Sequence, residues 1–218
     1  MWFIQAFQKD PEFAMMHILI IVFSVCCHEY MHARTALWQG DNTAKLAGHL
    51  TLNPLKQMGM VSLVLLFVAG IAFGQVPVNP GRLRHRHSDA LVSFAGPFAN
   101  LVIGWLFFAG TVTVIHVQQA DPSSRFLVQV LFTGAELNLV LFMLNMIPVP
   151  PLDGFGIAQS FFPAMRSASS EFLNGAYFFI IMAVFFSAGY LFRIAVQLIV
   201  SGLLFTGISP DMLRFYFA

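Results

Sequence analysis

The sequence predicts an all-α polytopic membrane protein of about five to six transmembrane or re-entrant helices. Three observations carry this. The 218 residues are 58% hydrophobic and 10% charged, with 25 Phe, whereas about a quarter of the residues of a soluble domain are charged. The apolar residues gather into long charge-poor stretches, the pattern of helices in lipid. Formal net charge is +1 and the basic residues are dispersed, so nothing points to nucleic acid as a partner.

The first stretch runs from about Ala14 to Leu37. Lys9, Asp10 and Glu12 precede it and no small-residue cleavage site follows a short apolar core, so it is expected to act as its own insertion signal. The second, Gly59 to Phe73, has fifteen charge-free residues, short of the roughly 20 a crossing helix needs. The third runs from Ala90 through Val117, and the fourth, Phe126 to Ile147, holds one acid, Glu136. Gly175 to Thr206 is apolar except for Arg193 and reads as two spans. The only cysteines, Cys26 and Cys27, are adjacent and cannot form a spaced disulfide framework.

Inside the first stretch lies His28-Glu29-Tyr30-Met31-His32, an H-E-x-x-H run. On a helix the two histidines share a face, so both imidazoles can hold one zinc while Glu29 stands beside a bound water. Ionisable groups at membrane depth are costly and signal function. Two histidines leave a catalytic zinc one protein ligand short. The candidate third ligand is Asp153, in Asn145-Met146-Ile147-Pro148-Val149-Pro150-Pro151-Leu152-Asp153-Gly154. The prolines end the fourth helix there, and Gly154 permits a tight turn that can aim the carboxylate inward. By itself Asp-Gly reads as a surface turn; beside H-E-x-x-H it reads as a ligand.

A ligand set drawn from the ends of the first and fourth stretches requires both ends to lie in one leaflet. That holds only if Gly59 to Phe73 enters and leaves on the same side. The basic run Arg82, Arg84 and Arg86, interleaved with His85 and His87, should be cytoplasmic, which places the active site towards the cytoplasm. Val76-Pro77-Val78-Asn79-Pro80 is expected to pack near the cavity, because irregular backbone at membrane depth needs protein or water around it.

These residues resemble the site-2 proteases, zinc intramembrane metallopeptidases of the M50 type. The resemblance rests on His28 to His32 and on the N-x-x-P-x-x-P-L-D-G segment from Asn145 to Gly154. It is nearest to a small prokaryotic branch without PDZ or CBS domains, through Gly40-Asp41-Asn42-Thr43-Ala44-Lys45, Leu50-Thr51-Leu52-Asn53-Pro54-Leu55-Lys56, Pro77-Val78-Asn79-Pro80 and Ala95-Gly96-Pro97-Phe98-Ala99-Asn100. His49 departs from the basic Arg usual in that branch. The resemblance implies one integral membrane domain over 1–218, with a catalytic core at about 13–158 and C-terminal helices at about 172–206. It implies Zn2+ held by His28, His32 and Asp153, Glu29 as general base, and Asn145 near the metal as an oxyanion donor. It also implies a membrane-protein substrate and a prokaryotic cell membrane location, with partner membrane proteins open.

Other residues have plainer readings. His17, eleven residues before His28, is about 16 Å away along a helix, too far to ligate; it reads as a cavity-lining or paired histidine, with Glu136 as the partner at matching depth. Asn138 either bonds between helices or lines a cleft, Cys27 points away from the ligand face, and Gly96-Pro97 reads as a kink or close helix contact. The competing function is a non-proteolytic integral subunit of a larger membrane complex.

Overall fold

The structure, a computed structural model, describes residues 7–162, 165 and 189–217. Among them, three helical segments are long and apolar enough to cross a bilayer. The first, α1 (Pro11–Trp38), starts behind Asp10, whose carboxylate accepts from the Phe13 amide, with Pro11 opening the first turn. Both are strong start signals. Its 28 residues span about 42 Å at 1.5 Å each, more than the ~30 Å hydrocarbon core. Single turns α2 (Thr43–Leu46) and α3 (Pro54–Gln57) follow, then α4 (Gly59–Ala69), α5 (Ser88–Gln118) and α6 (Arg125–Asn145). After α7 (Asp153–Phe161), the described chain resumes with α8 (Gly189–Phe205) and α9 (Pro210–Phe217). Of the stretch Gly175 to Thr206, the part before Gly189 lies outside the described residues.

α5 packs antiparallel on α6 and against α1. The α5–α6 seam is close because Gly104 faces Asn138 and Gly134 faces the Phe107 ring, and small residues are what let helices approach in lipid. Ile18, Ile21 and Val25 of α1 meet Leu66 of α4 and Val130 and Leu137 of α6 in one buried cluster. A second, at the far end, gathers Ile115, Val128, Ile199, Leu203 and Tyr216. There Tyr216 is fully buried with its hydroxyl 3.0 Å from Ser124 Oγ, while Arg125 and Gln129 donate to the Phe215 and Tyr216 carbonyls.

The second apolar stretch does not cross. α4 has 11 residues, about 16 Å of helix, and stops at Gly70, whose φ of 71° is left-handed. The chain then returns extended alongside it. Phe73 exchanges two bonds with Ser62 Oγ at 2.9 and 2.6 Å, and the Gln75 amide reaches the Gln57 carbonyl at 3.1 Å. Next, the Asn79 amide reaches Asp41 Oδ2 at 2.6 Å. Each contact lies nearer the start of the segment than the one before, so it leaves on the side it entered. Cost explains these contacts: a non-helical backbone group at this depth needs a partner, and Ser62 and Gln57 supply one for Phe73 and for the Gln75 amide.

Asp41 anchors the return. It is buried at the end of α1, where its carboxylate accepts from the Thr43 amide, Thr43 Oγ1 and the Asn79 amide. Burial pushes its pKa up, but those hydrogen bonds and the nearby Arg82 charge outweigh it and hold the group below its ordinary 3.8. A lowered folded-state pKa adds stability that is present above the ordinary value and is lost as pH falls through the lowered one. Asp41→Asn, which cannot offer the same acceptors, should cost roughly 1–3 kcal/mol and flatten the loss of thermal stability below about pH 4. Melting curves of the two proteins between pH 3 and 7 read both effects.

Candidate metal centre

The H-E-x-x-H run occupies the second half of α1, and His28, Glu29 and His32 are all buried there. Helical spacing puts His28 and His32 on one side, with ring centroids 4.6 Å apart and Nε2 atoms facing each other at 2.9 Å. Asp153 reaches them from the other end of the sequence. Pro148 ends α6, the chain turns through the cis Pro150-Pro151 bond, and Leu152 is extended before α7 begins at Asp153. Gly154 must be glycine here, because a Cβ would strike the Met146 and Ile147 carbonyls. The Asp153 carboxylate oxygens then sit 3.0 Å from His28 Nε2 and 3.3 Å from His32 Nε2. The three side chains offer ligand atoms that all lie within 4.8 Å of one another.

The opposite ring nitrogens determine what these atoms can do. His32 Nδ1 lies 2.7 Å from the Val92 carbonyl, an acceptor only, so this nitrogen carries the proton. His28 Nδ1 lies 2.6 Å from Asn100 Oδ1, and the Asn100 amide nitrogen donates to Asn138 Oδ1 and to the Ser24 carbonyl. That network assigns Oδ1 as the acceptor and His28 Nδ1 as the donor. Both Nε2 atoms therefore present lone pairs to each other and to a carboxylate. Four electron-rich atoms converging without a proton between them fit a cation, and two imidazoles with one carboxylate are a catalytic zinc set that leaves a position open.

α5 makes this possible. A Cβ at Gly96 would lie within 3.0 Å of both His28 and His32 Nε2, so only glycine lets the helix pass the pair without crowding the nitrogens that face Asp153. Pro97, inside α5, removes one ladder bond at the same turn, next to the Val92 carbonyl that His32 uses. The expected close helix contact at Gly96-Pro97 is thus a contact with the histidines themselves. Glu29 has a glycine of its own: a Cβ at Gly74 would overlap its carboxylate.

The centre opens into a cavity of about 750 Å3 lined by Glu29, His28, His32, Asp153, the segment from Ile71 to Val76, Val78, Asn100 and Asn145. The run around Pro77 therefore lies where its composition places it. Asn145 lines the same cavity, with its amide donating to the Leu141 carbonyl of its own helix at 3.0 Å. Asn138 bonds between helices. His17 lies beside Phe13, ring centroids 6.4 Å apart, and does not line the cavity, which ends on α1 at Val25; the cavity-lining reading of His17 is corrected, since three turns separate it from the metal side.

Fold and site together define an α-helical membrane metallopeptidase with an H-E-x-x-H zinc centre. The model of Peptidase family M50 matches residues 109–189. YwhC of Bacillus subtilis, described as a candidate zinc metalloprotease, is 34% identical over 175 residues, 78% of each chain. Rip2 of Mycolicibacterium smegmatis, described in the same way, is 37% identical over 153 residues, 65% of this chain and 56% of that protein. Rip2 of Mycobacterium tuberculosis is 32% identical over 163 residues, 70% and 58% of the two chains. The chain spans a little over half the length of these Rip2 proteins. No solved structure matches it. The chain belongs to the M50 peptidases, the site-2 protease family, and is a zinc metallopeptidase.

Asn100 is the residue that spacing alone did not reveal. As the acceptor that fixes His28's ring, it should act as metal-site support usually does: Asn100→Leu is expected to lower zinc affinity about 10- to 100-fold, read by competition with a chromogenic chelator. Asn100→Asp, which keeps an acceptor, should recover most of the affinity.

Proposed function

We propose that this chain is an intramembrane endopeptidase that cleaves transmembrane or membrane-proximal segments of other membrane proteins. The observation that carries the reading is the extended segment from Ala72 to Val76 beside Glu29 and the metal ligands. Phe73 and Gln75 spend their backbone groups on Ser62 and Gln57. In an extended chain, successive backbone groups point to opposite sides, so the alternate set, at Ala72, Gly74 and Val76, points away from α4 towards the cavity. None of those three amides donates a hydrogen bond among the described residues.

An open strand edge at membrane depth suits a peptide that adds to it as a further strand. A substrate helix hides its scissile carbonyls within its own hydrogen bonds, so it has to unwind first. The edge gives the released backbone groups new partners and lays the peptide across Glu29. When bound, zinc supplies a Lewis acid that lowers the pKa of a coordinated water from about 15.7 to about 7 and polarises the carbonyl. Glu29 takes the proton from the attacking water and passes it to the departing amine. Asn145, once turned from the Leu141 carbonyl, donates to the developing oxyanion.

His32 and Asp153 share one end of the bundle with the Arg82 to Arg86 loop. The excess of Arg and Lys at that end supports a cytoplasmic orientation. We therefore place the chain in a prokaryotic cell membrane with the site towards the cytoplasm.

Reconstituted enzyme carrying Glu29→Gln should keep its zinc and lose about 10²- to 10⁴-fold in cleavage of a fluorogenic transmembrane peptide. Zinc is counted by atomic absorption alongside. Equal cleavage by the two proteins would remove Glu29 from its role as base. Wild type with full zinc that cuts soluble peptides but no membrane-inserted one would remove the intramembrane reading.

A further inference from the structure

Six of the eleven Lys and Arg residues, Arg34, Lys45, Lys56, Arg82, Arg84 and Arg86, lie near the end of α1 or in the short helices and loops at the same end of the bundle. Four of them form a continuous stripe. The Lys56 side chain lies over Gly48, at 4.0 Å from the place a Cβ would take, and the Gly48 amide bonds the Lys45 carbonyl. Lys45 sits in the turn that Asn42 opens, Arg82 Nη1 donates to Asn42 Oδ1 at 2.9 Å, and Arg84 folds against Gly40. Lys45, Lys56, Arg82 and Arg84 are all exposed. Among the described residues none of the six forms an ion pair, and the nearest acid on this stripe, Asp41, is buried and already saturated by Thr43 and Asn79. The far end is different: Lys9, Arg125 and Arg214 there share the surface with Asp10, Glu12, Asp121 and Asp211.

The depth of the stripe is set by its neighbours. α3 carries Lys56 and ends one residue before α4, whose Met60, Val61, Val64, Phe67 and Val68 point outward and must lie in hydrocarbon. Beside the cations, Leu46 is 74% exposed and Leu55 55%. Bare leucines next to unpaired lysines, at the level where a helix enters the bilayer, make an interfacial face: the leucines sink and the ammonium groups rise to the phosphates.

We propose that this stripe binds the anionic phospholipid headgroups of its own leaflet. The partner is a lipid because exposed cations that form no ion pair among the described residues are flanked by apolar side chains at one depth, which a soluble anion has no use for. The proposal requires that the chain spans a membrane and does not depend on proteolysis.

The test uses the full chain in a neutral detergent, with phosphatidylglycerol or phosphatidylcholine added, reading the thermal midpoint and the lipids retained in native mass spectrometry. Phosphatidylglycerol should be retained preferentially, and Lys45→Gln/Lys56→Gln should weaken that preference by about fivefold for each lysine removed. Lys9→Gln/Arg214→Gln, at the far end, should leave it unchanged. Equal retention of the two lipids by wild type would overturn the proposal, as would an equal loss in both double variants. Stabilisation by inorganic phosphate or by polyglutamate that matches phosphatidylglycerol would assign the stripe to a soluble anion or an acidic segment instead, and overturn it as well.

Discussion

The passage of α5 against the two histidines of α1 is the contact on which the site depends. Gly96 leaves out the Cβ that would crowd both Nε2 atoms, and one turn on, Asn100 accepts from His28 Nδ1. Val92, one turn back, takes the His32 proton. Two imidazoles on one helix could otherwise rotate freely about χ1 and χ2 and bring protonated nitrogens to the metal side. Held from behind by acceptors, both present lone pairs forward. The carboxylate of Asp153 then has a reason to be there that is electrostatic and independent of its own loop.

Around the two histidines the buried polar groups are not isolated from one another. They are linked in turn: His28 to Asn100, Asn100 to Asn138 and to the Ser24 carbonyl, and His32 to Val92. Each asparagine satisfies another polar group as well as itself, which is how buried amides become tolerable in a low dielectric. The re-entrant segment follows the same rule by other means. Its backbone cannot use a helix ladder, so a serine hydroxyl, a glutamine carbonyl and an aspartate carboxylate stand in for one. Gln57, buried itself, also donates to the His49 and Thr51 carbonyls, tying the loop before α3 to the returning chain. His49 adds a long contact to the Gln57 side chain at 3.3 Å, a local role.

Much of this was legible in the residues. H-E-x-x-H declares its geometry because i and i+4 share a helix face whatever surrounds them. Asp153 was the candidate a coordination count pointed to, and the return of Gly59 to Phe73 came from requiring both ligand-bearing ends in one leaflet, with fifteen residues too few to cross ~30 Å as a helix. Asn100, Gly74 and Gly96 were not legible in the same sense. Their roles depend on which turn of one helix meets which turn of another, and apolar periodicity is nearly uninformative about that register when every face is hydrophobic. Gly96 suggested that something came close; only the packed chain shows that it is the two histidines. His17 illustrates the converse. Its spacing suggested the ligand face, yet the cavity closes before reaching it.

Ser62 holds Phe73 at two points, giving a proton to its carbonyl and taking one from its amide. One hydroxyl therefore sets the phase of the returning strand. Extended chain has a period of two, so a slip of a single residue past Ser62 would turn every backbone group to the opposite side. Ala72, Gly74 and Val76 would then face α4, while Phe73 and Gln75 would fill the space in front of Glu29 with side chains. A helix tolerates small shifts because its faces grade into one another; this strand has only two settings, and one serine selects between an accessible base and a covered one.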